Sequence, residues 1–147
     1  MSQENVEVAR RYLERTEEWG GEVIEALVND FWEPDGDYYP IRGFPEAKPC
    51  HGREEIVRFF TAFYPAWEDY RYVVKDATAI GDDRVLVYGA IRAEGRASGV
   101  ALEGDTYHCF WVRHGRFIRA EDHLTAKGAL HALGLSGDSL EAAGLAE

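Results

Sequence analysis

The chain has 147 residues, of which 46% are hydrophobic and 29% charged, and its formal net charge is −11. That length suits one domain of about 100–150 residues and excludes a two-domain enzyme. The apolar runs are too short to span a bilayer, the charged start offers no apolar signal-peptide core, and the acidic field repels a phosphate backbone, so neither membrane nor nucleic acid is an expected partner.

In chain order, Gln3 to Trp19 is predicted as a helix, with Val6, Ala9, Leu13 and Thr16 on one stripe and Tyr12 beside it. Gly20-Gly21 breaks it, and a second helix carries Val23, Ile24, Leu27, Val28 and Phe31 on one face. Pro34-Asp35-Gly36 ends that helix, and Asp37 to Ile41 is predicted as a short strand. Arg42 to His51 is read as a loop. A third helix starts near Gly52, shows Ile56, Val57, Phe59, Phe60 and Phe63 as its apolar stripe, and stops at Pro65. The period then changes to two. Tyr70–Ile80, Arg84–Ala93, Val100–Val112 and Arg116–Thr125 are predicted as strands, Ala126–Leu133 as a short last helix, and 136–147 as a frayed tail after a single domain over 1–135. Helices followed by a run of strands mean α+β: a curved antiparallel sheet wrapped around three helices on one side, a cone with an apolar interior.

The last two strands carry the chemistry. A three-residue loop, Arg113-His114-Gly115, would set Val112 opposite Arg116. Thr106, His108, Phe110, Val112, Ile118, Ala120, Asp122 and Leu124 then share the inner face, with His108 and Asp122 as diagonal neighbours. A two-residue His-Gly loop would put that pair on opposite faces. Ionisable pairs inside small cores are costly and cluster at functional sites, although such a pair can also serve only the core. His123 falls on the opposite face, His114 in the exposed turn and His131 on a surface helix.

Cys50 and Cys109 read as free thiols of a cytoplasmic protein. No CxxC, HExxH, P-loop or GxGxxG pattern occurs, so no metal and no cofactor is expected.

The segments HGREEIVRFF, GDDRVLVYG, GRASGV, FWVRHGRFIRAEDHL and GALHALGL resemble the SnoaL-like family, within the nuclear-transport-factor-2-like superfamily that also holds ketosteroid isomerase and limonene epoxide hydrolase. The resemblance runs from about Val6 to Leu135 and implies a cystatin-like α+β barrel. It also implies an acid/base aspartate on the last strand, a histidine on the strand before it and a tyrosine on the first helix, which fall on Asp122, His108 and Tyr12. As in the polyketide cyclases of that family, Asp122 would remove a proton next to a carbonyl, His108 would orient or protonate, and Tyr12 would donate to the enolate oxygen. Trp32, Asp37, Tyr39, His51, Phe60, Phe63 and Phe110 are expected to line the pocket of a hydrophobic, steroid- or polyketide-like carbonyl ligand.

Two alternatives stay open: a non-catalytic binding or dimerisation module, and an epoxide hydrolase, for which the strand VLVYGAIRA lacks the arginine and second aspartate in place. The outer face of the last hairpin, with Tyr107, Cys109, Trp111 and Phe117, predicts a two-fold homodimer, unless the C-terminal segment folds over it.

Overall fold

The hydrophobic period changes after Phe63, and the architecture changes with it. A computed structural model describes residues 2–15, 21–41 and 48–135. Helices α1 (Ser2–Glu14), α2 (Gly21–Phe31) and α3 (Arg53–Phe63) precede the long strands β3 (Trp67–Ile80), β4 (Arg84–Gly95), β5 (Ala101–Arg113) and β6 (Arg116–His123), and α4 (Ala126–Ala132) closes the described chain. Strands β1 (Trp32–Tyr39) and β2 (Cys50–His51) lie between α2 and α3. The far end of the first predicted helix, the middle of the loop after Ile41 and the C-terminal tail lie outside the described residues.

The helical stripes behave as amphipathic faces should. Val6, Ala9, Tyr12 and Leu13 of α1, Ile24, Leu27, Val28 and Phe31 of α2, and Ile56 and Phe60 of α3 are buried in one core. Val23 is the exception and is exposed. These helices pack on the concave face of a six-stranded sheet of order β2-β1-β6-β5-β4-β3. Among the described residues the two edge strands do not pair with each other, so the curved sheet wraps the helices as an open cone, the α+β architecture expected from the sequence. Asn5 of α1 fastens the rim, its side-chain amide donating to the Asp82 carbonyl in the β3–β4 turn at 2.9 Å.

Four expectations are corrected. The first strand begins five residues earlier than predicted. Pro34-Asp35-Gly36 does not end a helix there; it is absorbed as an irregularity inside β1, between the pairs Trp32–Phe117 and Asp37–Arg119. Gly36 allows this because a Cβ there would collide with the Trp32 ring. Second, β1 runs parallel to β6, so the sheet is mixed. Third, α4 sits on the convex face, where Ala129, Leu130 and Leu133 form a second core with Leu86, Tyr107 and Cys109.

The fourth correction concerns the hairpin. Arg113 pairs with Arg116, so the turn is the two-residue His114-Gly115. Both residues have positive φ, 53° and 76°, as a type I′ turn requires, and this turn matches the twist of the flanking strands. By itself this register would separate His108 from Asp122. It does not, because the ladder shifts between Trp111–Arg119 and Val112–Phe117, leaving Ile118 as an extra residue on β6. The bulge restores the parity that the turn removed. Beyond it His108 stands directly opposite Asp122, and below it Phe117 turns inward and is fully buried.

The outer patch offered for a homodimer is thereby dismantled. Tyr107 and Cys109 lie under α4, with the Cys109 thiol 3.5 Å from the Ala129 carbonyl, and Phe117 belongs to the inner core. Trp111 is half-buried, with the Arg119 guanidinium 5.3 Å over its ring.

Candidate functional site

Pleating across the sheet places a polar row in an apolar wall. Tyr72 on β3, Thr106 and His108 on β5, Asp122 on β6 and Tyr38 on β1 all face the helices and line one cavity. The remaining wall includes Tyr12, Trp32, Phe59, Phe60, Phe63, Tyr64, Tyr70 and Phe110. The cavity volume is about 50 Å³, room for roughly four water-sized spheres. Pockets for drug-sized ligands run to about 300–1,000 Å³, so this cavity suits a compact ligand better than a steroid or a polycyclic polyketide. Asp122 and Ile41 also border a wider groove of about 580 Å³, so the carboxylate can be approached from that side.

The hydrogen bonds define a direction. His108 Nδ1 lies 2.6 Å from Asp122 Oδ1, and the side chains are 10% and 12% exposed. Tyr38 donates its hydroxyl to Asp122 Oδ2. The carboxylate is thus held through both oxygens. His108 Nδ1 faces Asp122, and Nε2 at the other side of the ring stands 3.1 Å from the Thr106 hydroxyl. The Trp32 indole N–H donates to the Tyr12 hydroxyl oxygen at 3.2 Å. Burial, above all, pushes the phenols of Tyr12, Tyr38 and Tyr72 far above the ordinary tyrosine value, and the Asp122 carboxylate adds to this. All three stay protonated and remain donors.

Tyr12, Trp32, Phe60, Phe63, Phe110, His108 and Asp122 therefore meet in one cavity, as the sequence predicts. Asp37, Tyr39 and His51 do not. Tyr38 takes the inward position on β1, so strand alternation turns Asp37 and Tyr39 outward. Asp37 pairs with His51 across β1–β2, at 2.7 Å between Oδ1 and Nδ1, on the exposed side. This contact holds the His51 pKa above 6.5. The Tyr39 ring instead packs under the Arg119 guanidinium at 4.4 Å. Tyr38 and Tyr72 were missed. The signal for both was alternation, obscured in β1 by the Pro34–Gly36 irregularity. Among the described residues no group of three or more His, Cys, Asp or Glu could hold a metal ion, and no helix is long and apolar enough to cross a membrane.

A family model described as a SnoaL-like domain matches residues 9–120. The chain belongs to the SnoaL-like family. The match includes His108 and stops just short of Asp122. No curated protein matches. Several solved structures share the fold of this SnoaL-like chain. A protein of Catenulispora acidiphila with a ketosteroid isomerase-like fold, in complex with trimethylamine, is 17% identical with TM-score 0.67, over 90% of this chain and 95% of that one. A SnoaL-like protein of Jannaschia is 18% identical with TM-score 0.69, over 82% and 85%. TerC, co-crystallised with polyporic acid, is 21% identical with TM-score 0.69, over 88% and 97%. At these identities the likeness concerns the fold, an α+β cone of helices in a curved sheet, and two of these three structures contain a small molecule.

Proposed function

We propose that this SnoaL-like protein is a cofactor-independent acid–base enzyme acting on a compact apolar carbonyl compound, with Asp122 as the base. The observation that supports it is a single carboxylate, nearly enclosed by aromatic walls and held through both oxygens by His108 and Tyr38. Asp122 takes a proton from the carbon next to the carbonyl, and the C–H electron pair moves into the enolate. The same carboxyl group returns the proton, either to the γ carbon of an unsaturated ketone or to the alkoxide formed when the enolate carbon attacks a second carbonyl. Isomerisation and aldol cyclisation thus need the same residues and no oxidant. His108 holds the carboxylate in line, and Tyr12, with its oxygen accepting from Trp32, walls the cavity.

A substrate of one small ring, which needs about 150 Å³, asks for the least widening of this cavity toward the groove that Asp122 and Ile41 border. Among the described residues lining it there is no arginine and no second carboxylate, which speaks against the epoxide hydrolase alternative. The binding-module alternative keeps one observation in its favour. Aromatic faces around a carboxylate also suit a small alkylammonium ion, and the Catenulispora neighbour is in complex with trimethylamine. A two-fold homodimer and a cytoplasmic setting remain part of the proposal, the first supported by the family resemblance and the second by the two free thiols.

The test is the conversion of cyclohex-3-enone to cyclohex-2-enone, followed by the ultraviolet absorbance of the conjugated product. Turnover above the buffer rate supports the enzyme reading. Tight trimethylammonium binding with no turnover supports the binding module.

A further inference from the structure

Tyr72 stands at the opposite end of the polar row from Tyr38. Its hydroxyl is buried, lines the cavity and completes no hydrogen bond of normal geometry, although Thr106 lies close by. Buried donors are paired in the great majority of cases, so an orphaned one points to a partner that comes from outside the chain. The other polar groups of the row face partners within the chain: Tyr38 and His108 face Asp122, and Thr106 faces His108. Phenylalanine would fill the same space without stranding a polar group.

The neighbouring strand is shaped around this phenol. Gly89 on β4 pairs with Thr106 and therefore faces inward. A Cβ at position 89 would overlap the Tyr72 hydroxyl and its ring carbon, and would lie 2.6 Å from the Val73 carbonyl. The absence of a side chain on β4 lets the phenol lie across that strand toward Thr106. Two separate features of the sequence, a tyrosine on β3 and a glycine on β4, thus deliver one unpaired donor to the cavity.

We propose that the Tyr72 hydroxyl is the ligand anchor of this cavity, donating to the oxygen of a compact neutral carbonyl compound seated between it and Asp122. A phenol supplies one neutral donor, which one carbonyl oxygen satisfies. The aromatic walls accept the hydrocarbon body, and the Asp122 carboxylate repels anionic ligands from the same small space. The inference rests on the cavity being the ligand site. It does not depend on Asp122 carrying out a reaction.

The test compares binding of cyclohexanone and its oxygen-free isostere methylenecyclohexane to the full chain by ligand-observed NMR. Cyclohexanone has no double bond to move, so binding is read without turnover. In Tyr72→Phe the affinity ratio of ketone to alkene is expected to fall roughly three- to tenfold, as for one neutral hydrogen bond. The infrared carbonyl band of bound cyclohexanone, lowered in the wild type, should return toward its unbonded frequency in that variant. Gly89→Ala, which keeps the hydroxyl and displaces it, should lower the ratio as well. An unchanged ratio in Tyr72→Phe, or no ketone binding by the wild type, overturns the assignment. Absence of isomerisation alongside Tyr72-dependent ketone binding would overturn only the acid–base reading.

Discussion

His108 on β5 stands directly opposite Asp122 on β6, with Nδ1 and Oδ1 2.6 Å apart. This pairing exists because two irregularities cancel. The two-residue turn at His114-Gly115 moves the register by one, and the bulge at Ile118 moves it back. Either alone would send one of the two side chains to the convex face.

The turn itself is the first point to probe. Gly115 has φ +76° with open space around its Cβ position, so substitution there is strained by backbone conformation and not by crowding. Gly115→Val is expected to cost about 1–2 kcal/mol, measured by urea denaturation. His114→Asn, which tolerates the left-handed region, should be close to neutral.

Tyr72→Phe carries the opposite sign from most core substitutions. It removes a buried hydroxyl that lacks a partner and leaves the ring in place. Stability of the ligand-free protein should rise by about 1 kcal/mol, seen as a higher urea midpoint at unchanged slope. A matching loss of stability would mean that the hydroxyl is satisfied within the fold.

On the convex face, Leu130 is 2% exposed and anchors α4 over Tyr107 and Cys109. Leu130→Ala should cost about 2–5 kcal/mol. It should also speed reaction of Cys109 with a thiol reagent, because burial now pushes that thiol well above its ordinary pKa. Trp111→Glu is expected to destabilise this packing, whatever the oligomeric state.

The exposed pair His51–Asp37 offers a pH signature away from the cavity. Asp37 raises the His51 pKa, so the pairing contributes fully below the unfolded value near 6.5 and is lost as pH rises through the higher folded value. An NMR titration of His51 should show a midpoint above 6.5 in the wild type and a lower one in Asp37→Asn.

Much of this was legible in the residues. The helical stripes of α1 to α3 and the alternation from β3 to β6 determine which residues enter the core, because burial enforces those periods. The shared face of His108 and Asp122 was also correctly anticipated, but through the wrong turn. A bulge such as Ile118 leaves no pattern of its own, since an extra isoleucine is compatible with either face. The placement of Asp37, Tyr39 and His51 failed for a related reason. Pro34-Asp35-Gly36 has turn chemistry, and only contact with β6 pulls it into a strand. That shift puts Tyr38 in the cavity in place of its neighbours. The unpaired hydroxyl of Tyr72 depends on an inter-strand contact with Gly89 that no local pattern encodes.

The central claim is that Asp122 moves the proton. The most direct measurement is the rate of cyclohex-3-enone isomerisation by Asp122→Asn beside the dissociation constant of cyclohexanone for the same variant. The amide keeps the shape of the site and cannot act as a base. Turnover is expected to fall by about 10²–10⁴-fold while cyclohexanone binding changes less than about threefold. Turnover by Asp122→Asn equal to that of the wild type would contradict the account.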